Sequence, residues 1–184
     1  MESAEAVPPV GAISEVFGVS SSGKTAIIHA YLHEITENYG FCALVDSLQS
    51  FDPLSASEAG VDLARLLWIK GDGRLDHAFK ATDMLIHAGG FSAVVLDLCE
   101  ADPRDLNRIP LSYWYRFRLA VEKTPNRLIV LGDTPLAKSC ARLQSEVRRA
   151  RVRWQGPCQG IEKVFAGLEF DAVSRKTRFL EKAV

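Results

Sequence analysis

The stretch GVSSSGKT, residues 18–25, restricts the fold more than any other feature of the chain. It satisfies G-x-x-x-x-G-K-[ST]. It also lies between a strand-like apolar run (AISEVFG, 12–18) and a helical pattern over residues 23–38 (GKTAIIHAYLHEITEN). A strand, a glycine-rich turn and a helix in that order form a phosphate cradle. Glycines let successive backbone N–H groups curl around an anion, and the helix start adds a favourable dipole. The turn residues expected to hold a nucleotide are Gly18, Ser21, Ser22, Gly23, Lys24 and Thr25. Lys24 would reach the β- and γ-phosphates and Thr25 would hold Mg²⁺, so the expected cofactor is ATP with Mg²⁺.

The rest of the chain alternates apolar runs with helical periodicity. FCALVD and RLLWIK predict strands, LSASEAGV a short helix, and LDHAFKATDMLIHA an amphipathic helix. FSAVVLDL is the most continuous apolar run and closes on Asp97, which is placed as the second metal-side carboxylate. A helix over 111–123 and the strand RLIVLG (127–132) complete a further unit. Strands that alternate with helices predict a parallel sheet covered on both faces. Beyond about residue 145 the pattern changes. RRARVRW alternates, and KVFAGLEFDAVSRKTRF reads as two strands joined near Gly167, an antiparallel addition at one edge. Residues 1–10 are expected to be a loose arm and 11–184 a single domain.

Composition excludes some classes. A formal net charge of -1, with 47% hydrophobic and 24% charged residues, does not fit a protein that coats nucleic acid through bulk charge. There is no apolar stretch of membrane-span length and no signal-peptide pattern at the start, so a cytoplasmic protein with no membrane partner is expected. Cys42, Cys99, Cys140 and Cys158 form no CxxC pair, as befits reduced thiols. His29 and His33 lie i,i+4 on the first helix, where packing explains them better than metal binding.

The order strand–GVSSSGKT, ALVDSLQSFDP, AGVDLARLLWIK, SAVVLDL resembles the core of the bacterial RecA recombinase family, with similar spacing from about Gly11 to Leu98 and a weaker likeness in the terminal strands. The resemblance implies a RecA-like P-loop three-layer α/β/α domain with a mostly parallel sheet and antiparallel C-terminal edge strands. It also implies a role in DNA repair, recombination or SOS-type translesion synthesis. Shorter members of the ImuA type, accessory factors of a mutagenic polymerase complex, are one such group. Three departures matter. The family's hydrolytic Glu falls at Leu48, which cannot accept a proton. Asp46 and Gln49 are then the only nearby candidates for a catalytic role. The strand-end Gln that senses the γ-phosphate is replaced by Asp133, an anion repelled by a triphosphate unless it faces a cation. The adenine-covering aromatic falls at Ser55, although Asp52 remains. Hydrolysis is therefore expected to be weak or absent.

In that family two lysines near the end of the core reach a neighbouring subunit's nucleotide. Here Lys176 and Arg178, with Arg175 as an alternative, share the expected strand face, which leaves a nucleotide-bridged homodimer open. An ordinary basic edge strand explains them equally well. The two DNA loops of the family would fall in CEADPRDLNRIPLS, with Arg104 and Arg108, and in GDTPLAKSCARLQ, with Lys138 and Arg142. Arg148, Arg149, Arg151 and Arg153 follow. Of these, Arg108, Lys138, Arg142, Arg148 and Arg149 are the candidates for contact with single-stranded DNA; snorkelling edge residues are the alternative. A translesion polymerase complex or the resident RecA recombinase is the expected protein partner. In YWYRFRLAVEK, Trp114, Phe117 and Val121 form a helical stripe that is read as core or a partner-facing surface before a base-stacking platform.

Overall fold

Each strand of the central sheet sends alternate side chains to opposite faces, and that alternation builds the molecule's three layers. The computed structural model describes residues 8–155 and 164–177. Its first strand, β1 (Ile13–Phe17), is followed by α1 (Lys24–Glu37), β2 (Cys42–Asp46) and α2 (Pro53–Glu58). A 3₁₀ turn at Leu63–Arg65 leads to β3 (Leu66–Lys70), α3 (Leu75–Ala88) and β4 (Ala93–Asp97). Then come α4 (Pro103–Asn107), α5 (Leu111–Val121), β5 (Leu128–Gly132), β6 (Ala141–Gln155) and β7 (Val164–Thr177). The sheet order is β3-β2-β4-β5-β1-β6-β7.

Every pairing from β3 to β6 is parallel, and β7 alone runs antiparallel, against β6. The expected α/β class with a mostly parallel sheet therefore holds. One core layer lies under α3, α4 and α5 and takes Ile13, Ala43, Val45, Val94, Leu96, Leu128 and Val130 from the sheet. The other lies under α1 and α2 and takes Val16, Cys42, Leu44, Val95, Ile129 and Leu131. The odd and even residues of β2, β4 and β5 divide cleanly between the two. The stripe on α5 is core: Trp114, Phe117 and Val121 are buried, and Phe79 of α3 stacks on Phe117 at 5.5 Å. The interleaved arginines are paired instead with carboxylates, Arg116 with Asp83 and Arg118 with Glu122.

The C-terminal part differs from expectation in three ways. β6 begins at Ala141 and runs parallel to β1, with Ile13 opposite Ala141, so Arg142 sits in a strand and not in a loop. The antiparallel pairing is confined to β7. Finally, β7 is one continuous strand with Gly167 inside it, opposite Arg153 and next to a register shift. A glycine within a strand pattern here marks a bulge, where the sequence reading took it for a turn.

Candidate nucleotide-binding site

The turn after β1 has the conformation that an anion cradle needs. Ser21 has φ 60° and Gly23 has φ 103°, and α1 starts at the next residue, Lys24. Gly23 supplies the left-handed geometry without a steric cost. Gly18 is required for another reason: a Cβ there would lie 2.3 Å from the Val147 carbonyl oxygen of β6. The Ser22 hydroxyl is buried without a partner. Backbone curvature, a helix start and this donor set fit a polyphosphate.

The turn opens on a cleft of about 200 Å³ lined by Ser21, Lys24, Thr25, Asp97, Glu100 and Asp133, together with His29, Ser50 and Phe51. Lys24 is nearly buried. Its ammonium donates to the Gly18 carbonyl at 2.6 Å and pairs with the Asp133 carboxylate. The other Asp133 oxygen accepts from the Glu100 backbone N–H at 3.2 Å. Glu100 itself is exposed and has φ 63°. Strained residues gather where geometry is imposed for function, and Ser21 and Glu100 both line this cleft.

Asp97 ends β4 beside Asp46 of β2. Its carboxylate accepts from the Cys99 N–H at 2.9 Å and the Ser50 hydroxyl at 3.4 Å. Burial pushes its pKa up, the charge of Asp46 adds to that, and the Cys99 hydrogen bonds and Lys24 oppose it. Among the described residues no three His, Cys, Asp or Glu side chains converge as a metal cage. A divalent ion would depend on Thr25, Asp97 and the ligand's own phosphates, the usual manner of Mg²⁺. The Cys99 thiol in the same cleft is held protonated, its pKa raised mainly by burial and then by the Asp97 charge.

The residues weighed for hydrolysis lie elsewhere. Asp46 is fully buried, and its carboxylate accepts from the Ser50 and Phe51 N–H groups at 2.9 and 3.0 Å and from Trp68 Nε1 at 3.2 Å. It folds the loop after β2. Gln49 donates to the Gly71 carbonyl at 2.8 Å, and Leu48 is 38% exposed; neither lines the cleft. Asp52 caps α2, accepting from Leu54 and Ser55, and the Ser55 hydroxyl is the main cause of its lowered pKa. His29 is buried edge-on to Phe51, its pKa lowered by burial against the opposing Asp52 charge. His33 bonds the Gly60 carbonyl at 2.8 Å.

Two functional-looking carboxylates escape the sequence reading, Glu100 and Glu15. Glu15 is 2% exposed in the middle of β1. One of its oxygens accepts from the Leu136 and Ala137 N–H groups, and the other from Gln144 Nε2, all at 2.6 Å. It thus fastens the segment between β5 and β6, where a mobile DNA loop is expected. A charged residue inside an otherwise apolar strand was the available signal.

The basic candidates are spread out. Arg108 caps the end of α4 beside Asp105. Lys138 is exposed in the β5–β6 segment at φ 50°. Arg142 opens β6, whereas Arg148 and Arg149 lie past the Phe17↔Glu146 pair, near the phosphate turn. Arg148 pairs with Glu146 at 2.8 Å. Six residues of strand separate Arg142 from Arg148, roughly 20 Å. Lys176 falls opposite Gln144 on β7, and Arg178 lies outside the described residues.

The family model for the RecA N-terminal domain matches residues 5–105. The chain belongs to that family. Protein RecA of Rhizobium rhizogenes and of Allorhizobium ampelinum are each 37% identical to it over 89 residues, covering 48% of this chain and 24% of the relative. Protein RecA of Brucella anthropi matches to the same extent. The chain thus spans about a quarter of the length of the curated relatives it matches. The family match runs from before β1 into α4, and β5–β7 lie beyond it. No helix among the described residues is long and apolar enough to cross a membrane.

Proposed function

We propose that this RecA-family chain binds ATP with Mg²⁺ and uses the nucleotide to order a DNA or protein interface in DNA recombination or repair, with little or no turnover. The observation that carries the reading is the cleft itself: it joins Lys24, Thr25 and Asp97, while the loop that would supply a general base offers it only Ser50 and Phe51, neither of which is a base. Lys24 would engage phosphate, and Thr25 and Asp97 would hold the metal ion, which would screen phosphate charge. Leu48 cannot take a proton, Asp46 is saturated by three donors, and Gln49 is turned to Gly71. Loss of such a base typically removes a factor of about 10²–10⁴ in rate.

Steady-state hydrolysis with and without single-stranded DNA tests this. Wild type should stay near background, and Leu48→Glu should gain activity. A second reading, an active ATPase with a relocated base, draws on Glu100, which lines the cleft on the loop after β4. DNA-stimulated turnover that Glu100→Gln abolishes would establish that reading instead. For partners, the ImuA type is the favoured subfamily. Pull-down from DNA-damaged cells should then recover translesion polymerase subunits, whereas recovery of the resident recombinase marks a modulator of its filament. A homodimer remains an arrangement that sedimentation tests directly.

A further inference from the structure

We infer that Asp133 makes this site select a nucleoside diphosphate over the triphosphate, its carboxylate taking the Lys24 ammonium that a terminal phosphate would otherwise take. The inference rests on the proposal that the P-loop binds an adenine nucleotide, and it revises that proposal in one respect: the form held more tightly is the diphosphate.

A P-loop lysine normally spans the β- and γ-phosphates. Here the Lys24 ammonium is already held by the Gly18 carbonyl and by Asp133. Only the lysine of that pair is buried: its side chain is 7% exposed, against 42% for Asp133. Asp133 is also held from behind, because the Glu100 N–H donates to its second oxygen. The segment that follows is pinned at Leu136 and Ala137 by Glu15. Swinging the Asp133 carboxylate away therefore breaks two bonds, and the fastened segment keeps its backbone from following Lys24. The charges point the same way. Lys24 is the one Lys or Arg in the cleft lining among the described residues, and it faces the carboxylates of Asp97, Glu100 and Asp133. A diphosphate leaves room for Asp133 to stay on Lys24 beside it. A third phosphoryl group adds negative charge to a crowded anionic cluster and competes for the same ammonium.

The test is equilibrium titration, in Mg²⁺ buffer, with fluorescently labelled ADP and with its non-hydrolysable imido triphosphate analogue, against wild type and Asp133→Asn. Wild type should hold the diphosphate at least roughly tenfold more tightly, and Asp133→Asn should remove or reverse that preference. Asp133→Ser serves as a second variant, and a thermal melt of each confirms folding. Equal affinity in wild type overturns the inference, as does a preference that survives both substitutions. A triphosphate preference that depends on Mg²⁺ and is lost in Asp133→Asn also overturns it, since Asp133 would then be a metal ligand. Binding of neither nucleotide to any of the three proteins removes the nucleotide site itself, and this inference with it. Binding without preference removes the inference alone.

Discussion

The loop after β2, residues 47–52, and the segment after β5, residues 133–140, leave the same end of the sheet on either side of β4 and are each tied down by a buried carboxylate. The first is tied by Asp46, four and five residues away from the N–H groups it accepts. The second is tied by Glu15, which is 121 residues away from Leu136. Only the second is bonded to Lys24, through Asp133. A ligand that takes Lys24 therefore competes directly with the tie to Asp133, whereas the β2 loop meets the cleft only through Ser50 and Phe51. The two loops hold two of the three positions where the chain departs from its family's pattern, Leu48 and Asp133, and these two departures have different consequences. At Leu48 the side chain can neither give nor take a proton. At Asp133 a new charge is joined to the site.

The sharpest way to break that comparison is to cut the long-range tie. Glu15→Ala strands two N–H groups and the Gln144 amide next to a buried cavity. A loss of about 4 kcal/mol is expected by urea denaturation, with amide exchange speeding first at Leu136 and Ala137. If exchange there is unchanged, Glu15 is not what holds the segment. Gly18→Ala comes next. Its methyl would press on a backbone oxygen of β6 that cannot rotate away, so about 3 kcal/mol should go, together with the β1–β6 pairing. Asp46→Asn tests the local tie. The asparagine amide must face one of the donors the carboxylate now accepts, for about 2 kcal/mol, and nucleotide affinity should stay within about twofold of wild type. A large loss of affinity in that variant would join the β2 loop to the ligand and erase the distinction between the loops.

Local features were legible in the sequence and long-range ones were not. The strand–GVSSSGKT–helix unit, α3 and the strand ending in Asp97 follow from spacing within a few residues of one another, and the structure places them accordingly. The alternation Leu143, Ser145, Val147 with Gln144 and Glu146 was present too, but a strand's partner and direction depend on where the chain has already gone. The parallel run of β6 beside β1 and the single span of β7 were therefore missed. The same holds inside the site. Asp97 and Thr25 came from the motif and the strand end. The Lys24–Asp133 pair joins residues 109 apart, and Asp133 alone gave a charge without its counter-ion. Glu15 was visible as an oddity, a carboxylate in an apolar strand, but its partners lie past the last helix and no local rule names them.

The smallest effect concerns Asp97, and its sign is the informative part. Burial, with the neighbouring Asp46 charge, raises the folded-state pKa of Asp97 above that of an ordinary carboxylate. The ionised form is therefore the costlier one in the fold. The stability this group allows is complete below the unfolded-chain value, about 3.9, and is lost as pH rises through the folded value. Asp97→Asn removes that loss and keeps an oxygen for the Cys99 N–H. The variant should be slightly more stable than wild type at neutral pH, and the two stability curves should converge toward acid. It should also bind nucleotide less tightly with Mg²⁺ while differing little without it. Such a residue is held against stability for the ligand's sake, unlike Asp46 one strand away, whose charge is matched by three donors. A variant less stable than wild type at neutral pH would place Asp97 with Asp46 among the framework carboxylates.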